Sequence, residues 1–110
     1  MGVINPPPPY PVKITTQTGS YTLAATDAGS YIEMTSASAL TLTVPPNSSV
    51  GFSIGTEIAF GQHGAGALSV VAGSGVTIDR LSTLNMVGQY ATAALLKVGT
   101  NEWILSGALQ

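Results

Sequence analysis

The sequence predicts an all-β protein, an antiparallel β-sandwich or small barrel with an extended proline-rich N-terminal arm. Short runs of β-forming residues recur at intervals of roughly 8 to 12 residues, which is typical of sandwiches and barrels. Thirteen glycines and seven prolines separate these runs. No stretch combines a helical hydrophobic period with capping residues. Together these observations favour strands over helices throughout the domain.

The chain divides into an arm, residues 1–13, and a β domain, residues 14–110. Consecutive prolines fix the backbone and remove its donors, so the arm is expected to be a stiff polyproline II segment. At ~3.1 Å per residue it could reach about 40 Å. A disordered leader is the ordinary alternative for such a terminus. The candidate partner-binding residues of the arm are Ile4, Asn5, Pro6, Pro7, Pro8, Pro9, Tyr10 and Pro11.

The β domain is predicted to contain about nine strands. Alternation of apolar and polar residues is clearest in Leu40–Val44, which indicates a strand with one buried face. Glycine clusters at 61–66, 73–75 and 99–101 are interpreted as hairpin turns, and residues 79–87 as a long connection. The predicted strands span residues 14–18, 20–24, 30–35, 40–44, 56–60, 68–72, 76–78, 89–98 and 102–106.

The charge content is low for a soluble domain and indicates assembly. Only 7% of residues are charged and the net charge is -2, against about 25% charged residues in ordinary domains. Either serine, threonine, asparagine and glutamine supply the polar surface, or much of the surface is buried against other copies or a larger assembly. Lys13, Arg80 and Lys97 are the three basic residues, too few to favour nucleic-acid binding.

Other classes of protein lack their characteristic features in this sequence. The longest apolar runs are far shorter than the ~20 residues that span a bilayer. Cysteine is absent, which excludes disulfides and thiolate metal sites. No glycine cluster has the lysine that a phosphate-binding loop requires. We therefore expect no membrane partner, no cofactor and no metal.

The candidate catalytic residues are sparse, and we expect no enzymatic activity. His63 is the single histidine and lies in a predicted glycine-rich loop, where an exposed polar role is the ordinary interpretation. Asp27 and Asp79 stand where aspartates stabilise turns. Trp103 and Tyr90 are expected to pack in the core or at a subunit interface. A glycosidase pair could assemble in space from scattered carboxylates, but such sites usually have aromatic platforms and Trp103 is the only tryptophan. The five carboxylates of the chain are Asp27, Glu33, Glu57, Asp79 and Glu102.

Two segments of the C-terminal half carry a resemblance to a known group of proteins. The strings GALSVVAGSGVTI (66–78) and GQYATAALLKVGTNEWILSG (88–107) resemble a module of tailed-bacteriophage virion structural proteins. The upstream strings YTLAATDAG (21–29), LTVP (42–45) and GTEI (55–58) fit the same pattern. The resemblance covers about residues 20–110 and includes tail-fibre, receptor-binding and capsid decoration modules. It implies a β-rich, typically trimeric protein and carries no catalytic residues.

The resemblance and the arm together predict a capsid decoration (cement) protein. Such a homotrimer would lie on the capsid surface of the virion, bind the major capsid protein and stabilise the lattice. A single module with a proline-rich arm suits a protein that grips a lattice better than a fibre shaft. The alternative is a tail-fibre or receptor-binding module that contacts a host surface glycan or protein. A carbohydrate-binding module and an enzyme rank third and fourth.

Overall fold

The computed structural model describes residues 11–110, which fold into nine strands and one short 3-10 helix, Ala25–Asp27. This part of the chain contains no α-helix, so the all-β prediction is confirmed. Within it, no helix has the length and apolar character needed to cross a membrane. The strands are β1 (Ile14–Gln17), β2 (Tyr21–Thr22), β3 (Tyr31–Met34), β4 (Leu40–Val44), β5 (Glu57–Gln62), β6 (Leu68–Ala72), β7 (Thr77–Arg80), β8 (Thr92–Gly99) and β9 (Glu102–Gly107).

The strands form two sheets whose pairing is largely parallel. One sheet has six strands in the order β1-β3-β5-β8-β9-β7, and the other has three in the order β2-β4-β6. Strands β1 to β6 alternate between the two sheets, and β1, β2, β3 and β4 each pair in parallel with the equivalent strand of the next turn of the chain. The result is a β-solenoid-like stack of coils. The predicted antiparallel sandwich or barrel is therefore wrong in its topology.

The error has a physical reason: the alternation of apolar and polar residues along a strand does not specify how strands pair. Alternation shows which side chains face the core, but it does not identify the neighbouring strand or its direction. The turn 73–75 was predicted to close a hairpin; it instead carries the chain from β6 in one sheet to β7 in the other. The cluster 61–66 was also predicted as a turn, yet Gly61 and Gln62 belong to β5.

Glycines allow the corners of successive coils to stack closely. The amide of Gly66 donates to the carbonyl of Ser36 at 2.9 Å. A Cβ on Gly64 would overlap the backbone of Ser36, and one on Gly66 would overlap the backbone of Ser38. A side chain at either position would therefore push two coils apart.

The C-terminal part of the chain completes the larger sheet with a hairpin. Strands β8 and β9 pair antiparallel, β8 also pairs antiparallel with β5, and β9 pairs in parallel with β7. The predicted turn at 99–101 is confirmed. The preceding connection is anchored where Asn85 bridges to Ser69 and Met86 bridges to Leu109, and the Met86 side chain is buried.

The core lies between the two sheets and is built from one face of each strand. Trp103 and Leu105 share the buried face of β9, as their spacing predicts. The Trp103 ring meets Phe52 edge to face, with centroids 5.5 Å apart. The other largest buried apolar side chains are Leu23, Ile32, Met34, Leu42, Val44, Ile58, Phe60, Leu68 and Leu95.

The described part of the proline-rich arm leads into β1, which ends the larger sheet among residues 11–110. Residues 1–10, and with them the predicted binding residues Ile4 to Tyr10, lie outside the described residues. Pro11, the last residue of that predicted set, is exposed, and so are Val12 and Lys13. They lead directly into β1, the edge strand, whose Ile14 is 57% exposed.

Candidate interaction surfaces

Three aromatic side chains cluster at the end of β5. The Tyr31 hydroxyl and His63 Nε2 share a hydrogen bond of 2.7 Å. The His63 ring also meets the Tyr90 ring edge to face, with centroids 6.1 Å apart. Tyr31 reaches His63 across Gly61, where a Cβ would overlap the tyrosine hydroxyl. The absence of a side chain at Gly61 therefore permits this cluster.

Tyr90 presents an exposed ring from an unfavourable backbone conformation. Its φ is 69°, in the left-handed region, and it is the only non-glycine residue of 11–110 with a positive φ. Such a conformation costs on the order of 1–3 kcal/mol. The Tyr90 amide donates to the Gln62 carbonyl, and Gln89 Nε2 donates to the His63 carbonyl at 3.1 Å. These bonds hold the side chain outward, with 70% of its surface exposed.

This geometry corrects the interpretation of His63 and decides one of the two alternatives for Tyr90. His63 was interpreted as an exposed loop residue without partners, but it is partly buried and contacts two tyrosines. Tyr90 was expected to pack in the core or at a subunit interface; its exposed ring excludes the core of the single chain, and the interface stays a prediction. The sequence signal for the cluster was Gly61, which leaves room for Tyr31 in the paired strand.

Four of the five carboxylates lie on one surface, the solvent side of the six-stranded sheet. Alternation along each strand places the core residues on one side and these carboxylates on the other. We call this surface the acidic face; its carboxylates are Glu33, Glu57, Asp79 and Glu102. These four carboxylates are far apart in the sequence, because each comes from a different strand of the sheet.

Asp79 and Glu102 are neighbours on the acidic face. Their strands, β7 and β9, pair in parallel, with Thr77 opposite Glu102 and Asp79 opposite Ile104. A hydrogen bond to the Asp79 carboxyl and the negative charge of that group raise the pKa of Glu102, with a further contribution from desolvation. The turn role predicted for Asp79 is not observed, because the residue lies within a strand.

A shallow and largely open depression of about 450 Å³, which we call the central groove, lies on the acidic face. Its floor consists of three small side chains that lie opposite one another on adjacent strands. Ala59 of β5 pairs with Ala94 of β8, and Ala94 pairs with Ser106 of β9. The remaining lining residues are Tyr31, Thr92, Ala93 and Gly107. Further along the same face, Val98 and Ile104 are 37% and 41% exposed.

The basic residues lie away from the acidic face or are already engaged. Lys13 precedes β1, and its Nζ donates to the Thr26 carbonyl at 3.2 Å. Arg80 alternates to the opposite side of β7 from Asp79 and donates to the Ile78 carbonyl at 3.0 Å.

Lys97 is buried, which the sequence analysis missed. Its Nζ donates to Asn47 Oδ1 at 2.7 Å and to the Phe52 carbonyl at 2.8 Å. The same Nζ lies 5.9 Å from the centre of the Trp103 ring. Two hydrogen bonds and an aromatic face thus replace water around this ammonium group, and they fasten the loop after β4 to β8.

Asp27 is also buried and has the turn-stabilising role that its position predicts. Its Oδ2 accepts hydrogen bonds from the Tyr21 hydroxyl and the Ala24 amide, each at 2.7 Å. Burial, and then the bond to Asp27 and its charge, raise the pKa of Tyr21 to about 12.

The described residues show no group of three or more histidine, cysteine, aspartate or glutamate side chains that could hold a metal ion. The aromatic cluster around His63 and the acidic face are the candidate surfaces for contact with other molecules, because they expose an aromatic ring and a group of carboxylates. Comparisons with protein-family models, curated proteins and solved structures find no match to this chain.

Proposed function

We propose that this chain is a phage capsid decoration protein that acts as a homotrimer. It binds the major capsid protein on the virion surface, stabilises the lattice and has no enzymatic activity. The main support for the proposal is the position at which the arm joins the β domain. The proline-rich segment leads through exposed Pro11 and Val12 into β1, which is an edge strand of the six-stranded sheet within the described residues.

The mechanism that we propose for attachment is multivalent. Residues Ile4 to Pro11 of each copy contact the capsid, and a proline-rich strand loses little conformational freedom when it docks. Once one arm of a trimer is bound, the others bind at a high effective concentration. Modest individual contacts then give tight overall attachment.

Deletion of residues 1–11 tests this role of the arm. The truncated chain is expected to fold with a melting temperature close to that of the full chain, because β1 begins at Ile14. Its occupancy on capsids that lack the protein should fall sharply, and Tyr10→Ala should give a weaker defect. The matched control is Tyr90→Ala, which removes an exposed tyrosine from the domain and should leave occupancy unchanged.

Two outcomes would contradict this account of attachment. Full occupancy by the truncated chain would show that the β domain makes the main contact. Unfolding of the truncated chain would show that the arm packs on the domain.

A second candidate function is a receptor-binding module that contacts a host glycan. The exposed Tyr90 ring beside His63 favours it, because exposed aromatic rings are suited to packing against sugars. In this case Tyr90→Ala would abolish binding to host cells and Tyr10→Ala would not. The same pair of variants therefore separates the two functions.

A further inference from the structure

We propose that the acidic face is a docking surface for a cationic protein surface that inserts an apolar side chain into the central groove. The inference rests on the proposed function only in identifying this partner with the capsid lattice. It adds a second contact to the one made by the arm. The partner is defined by its chemistry, lysine or arginine side chains around one aliphatic side chain.

The charge distribution favours a cationic partner. The acidic face carries Glu33, Glu57, Asp79 and Glu102, whereas Lys97 points into the core from β8. The side chains of Lys13 and Arg80 donate to backbone carbonyls outside the face. A chain with a net charge of only -2 therefore concentrates its negative charge on one sheet surface.

The same distribution disfavours a second copy of this chain as the occupant. A two-fold contact through this face would set the carboxylates of one copy against those of the other. Juxtaposed like charges oppose association. In a cyclic trimer the face would instead meet a different surface of the next copy. The cations that such a surface could offer, Lys13 and Arg80, already donate to backbone carbonyls.

The groove determines which residue of the partner lies at the centre. Ala59, Ala94 and Ser106 leave space above the sheet, and Tyr31 forms one wall. The hydrogen bond from Tyr31 to His63 holds that wall in position. An aliphatic side chain fits this floor, because a polar group placed over the alanines would lose water without gaining a partner.

The Asp79–Glu102 pair provides a place for a cation. Asp79 and Glu102 lie on paired strands of the face, with Thr77 opposite Glu102 and Asp79 opposite Ile104. Two ionised carboxylates placed this close repel each other. A lysine or arginine of the partner placed between them would replace this repulsion with attraction. Docking therefore relieves an unfavourable interaction of the free protein.

Peptide titration of the full chain tests the proposal. The probe is a synthetic peptide of alternating lysine and serine with one central leucine, and its control has serine in place of the leucine. At low salt the leucine peptide should bind more tightly. Glu57→Gln and Glu102→Gln should each weaken both peptides about two- to fivefold. Ala94→Leu, which fills the groove, should remove only the preference for leucine.

The control for charge is Thr22→Lys, an exposed position on the three-stranded sheet that changes the net charge by the same amount. This variant should bind the peptides as the unmodified chain does. The proposal would be overturned if Thr22→Lys and Glu57→Gln weakened peptide binding equally. It would also be overturned if the unmodified chain bound the leucine and serine peptides with equal affinity. Because no capsid is present, these outcomes are independent of whether the arm attaches the protein to a virion.

Discussion

Trp103 is the residue through which the β8–β9 hairpin packs most extensively into the core. It is 1% exposed, meets Phe52 edge to face and lies beneath Lys97. Trp103→Ala should lower the free energy of unfolding by about 3–5 kcal/mol, measured by chemical denaturation. The neighbouring Ile104→Ala, at a partly exposed position, should change it by less than about 1 kcal/mol. Unchanged stability together with loss of ligand binding would instead make Trp103 a binding platform.

Tyr21 makes the free energy of unfolding depend on pH in the alkaline range. Its pKa is about 12 in the folded protein and about 10 in an unfolded chain. The folded state therefore favours the protonated hydroxyl, and this contribution is complete below pH ~10 and is lost as the pH rises toward 12. Tyr21→Phe should be less stable than the unmodified chain at about pH 8, and the difference should shrink above about pH 11. Urea denaturation at both pH values checks this, and a constant difference would contradict it.

His63 has a measurable structural role despite its position at a surface. His63→Ala removes the hydrogen bond to Tyr31, whose net contribution is typically about 1 kcal/mol. We expect a loss of stability of that order in thermal unfolding, with Gln89→Ala, which removes a bond to the His63 carbonyl, as the comparison. A neutral His63→Ala would restore the earlier interpretation of an isolated loop histidine.

At the residue scale, the sequence was informative where a side chain follows the alternation of its own strand. Trp103 and Leu105 were placed on one face from their spacing alone. Lys97 could have been placed in the core by the same rule, since it follows Leu95 by two residues. Its charge argued against burial, and its partners, Asn47 and the Phe52 carbonyl, lie about fifty residues earlier in the chain. Such a compensating contact is not visible in local sequence.

At the scale of elements, the stacked corners depend on glycine. Gly66→Ala should destabilise the protein by about 1–3 kcal/mol, because the new Cβ meets the backbone of Ser38, which cannot rotate away. Gly88→Ala is the matched control, since a Cβ there meets nothing within 4 Å. Thermal unfolding of the two variants checks the prediction. Equal stabilities would show that the corners of successive coils are not in close contact.

The pairing of β7 with β9 gives the protein a second dependence on pH. The raised pKa of Glu102 means that the folded protein holds this proton more tightly than the unfolded chain. Its contribution is therefore favourable at low pH and declines as the pH rises through the carboxyl range. Glu102→Gln should raise the melting temperature at pH ~7 and leave it unchanged at about pH 3. An equal shift at both pH values would rule out the repulsion from Asp79.

The sequence predicted where strands lie along the chain better than it predicted which strands pair. Leu40–Val44 and Leu68–Ala72 have the predicted bounds, because turn residues delimit them and alternation marks their faces. Their parallel pairing was not predicted, because partner choice depends on the path of the chain around the core. The same limit concealed the acidic face, which exists only once β3, β5, β7 and β9 are placed in one sheet.

At the scale of the whole molecule, the low charge content and the edge strands of the described sheets favour self-association. We expect the purified protein to be an oligomer, most simply a trimer, in light scattering at micromolar concentration. Among residues 11–110, strands β1 and β2 both end their sheets and lie at the start of the coil stack. Backbone groups at the edge of a sheet favour contact with other chains. A well-folded monomer at that concentration would restrict trimer formation to the virion.

The central claim is that this protein occupies the outer surface of a capsid. A density map of the intact virion that encodes the chain tests it most directly. The account predicts density for the β domain above junctions between major capsid subunits, with the acidic face toward basic residues of the lattice and the arm of each copy on the lattice. Density for this domain at the tip of a tail fibre, with none on the capsid, would contradict it.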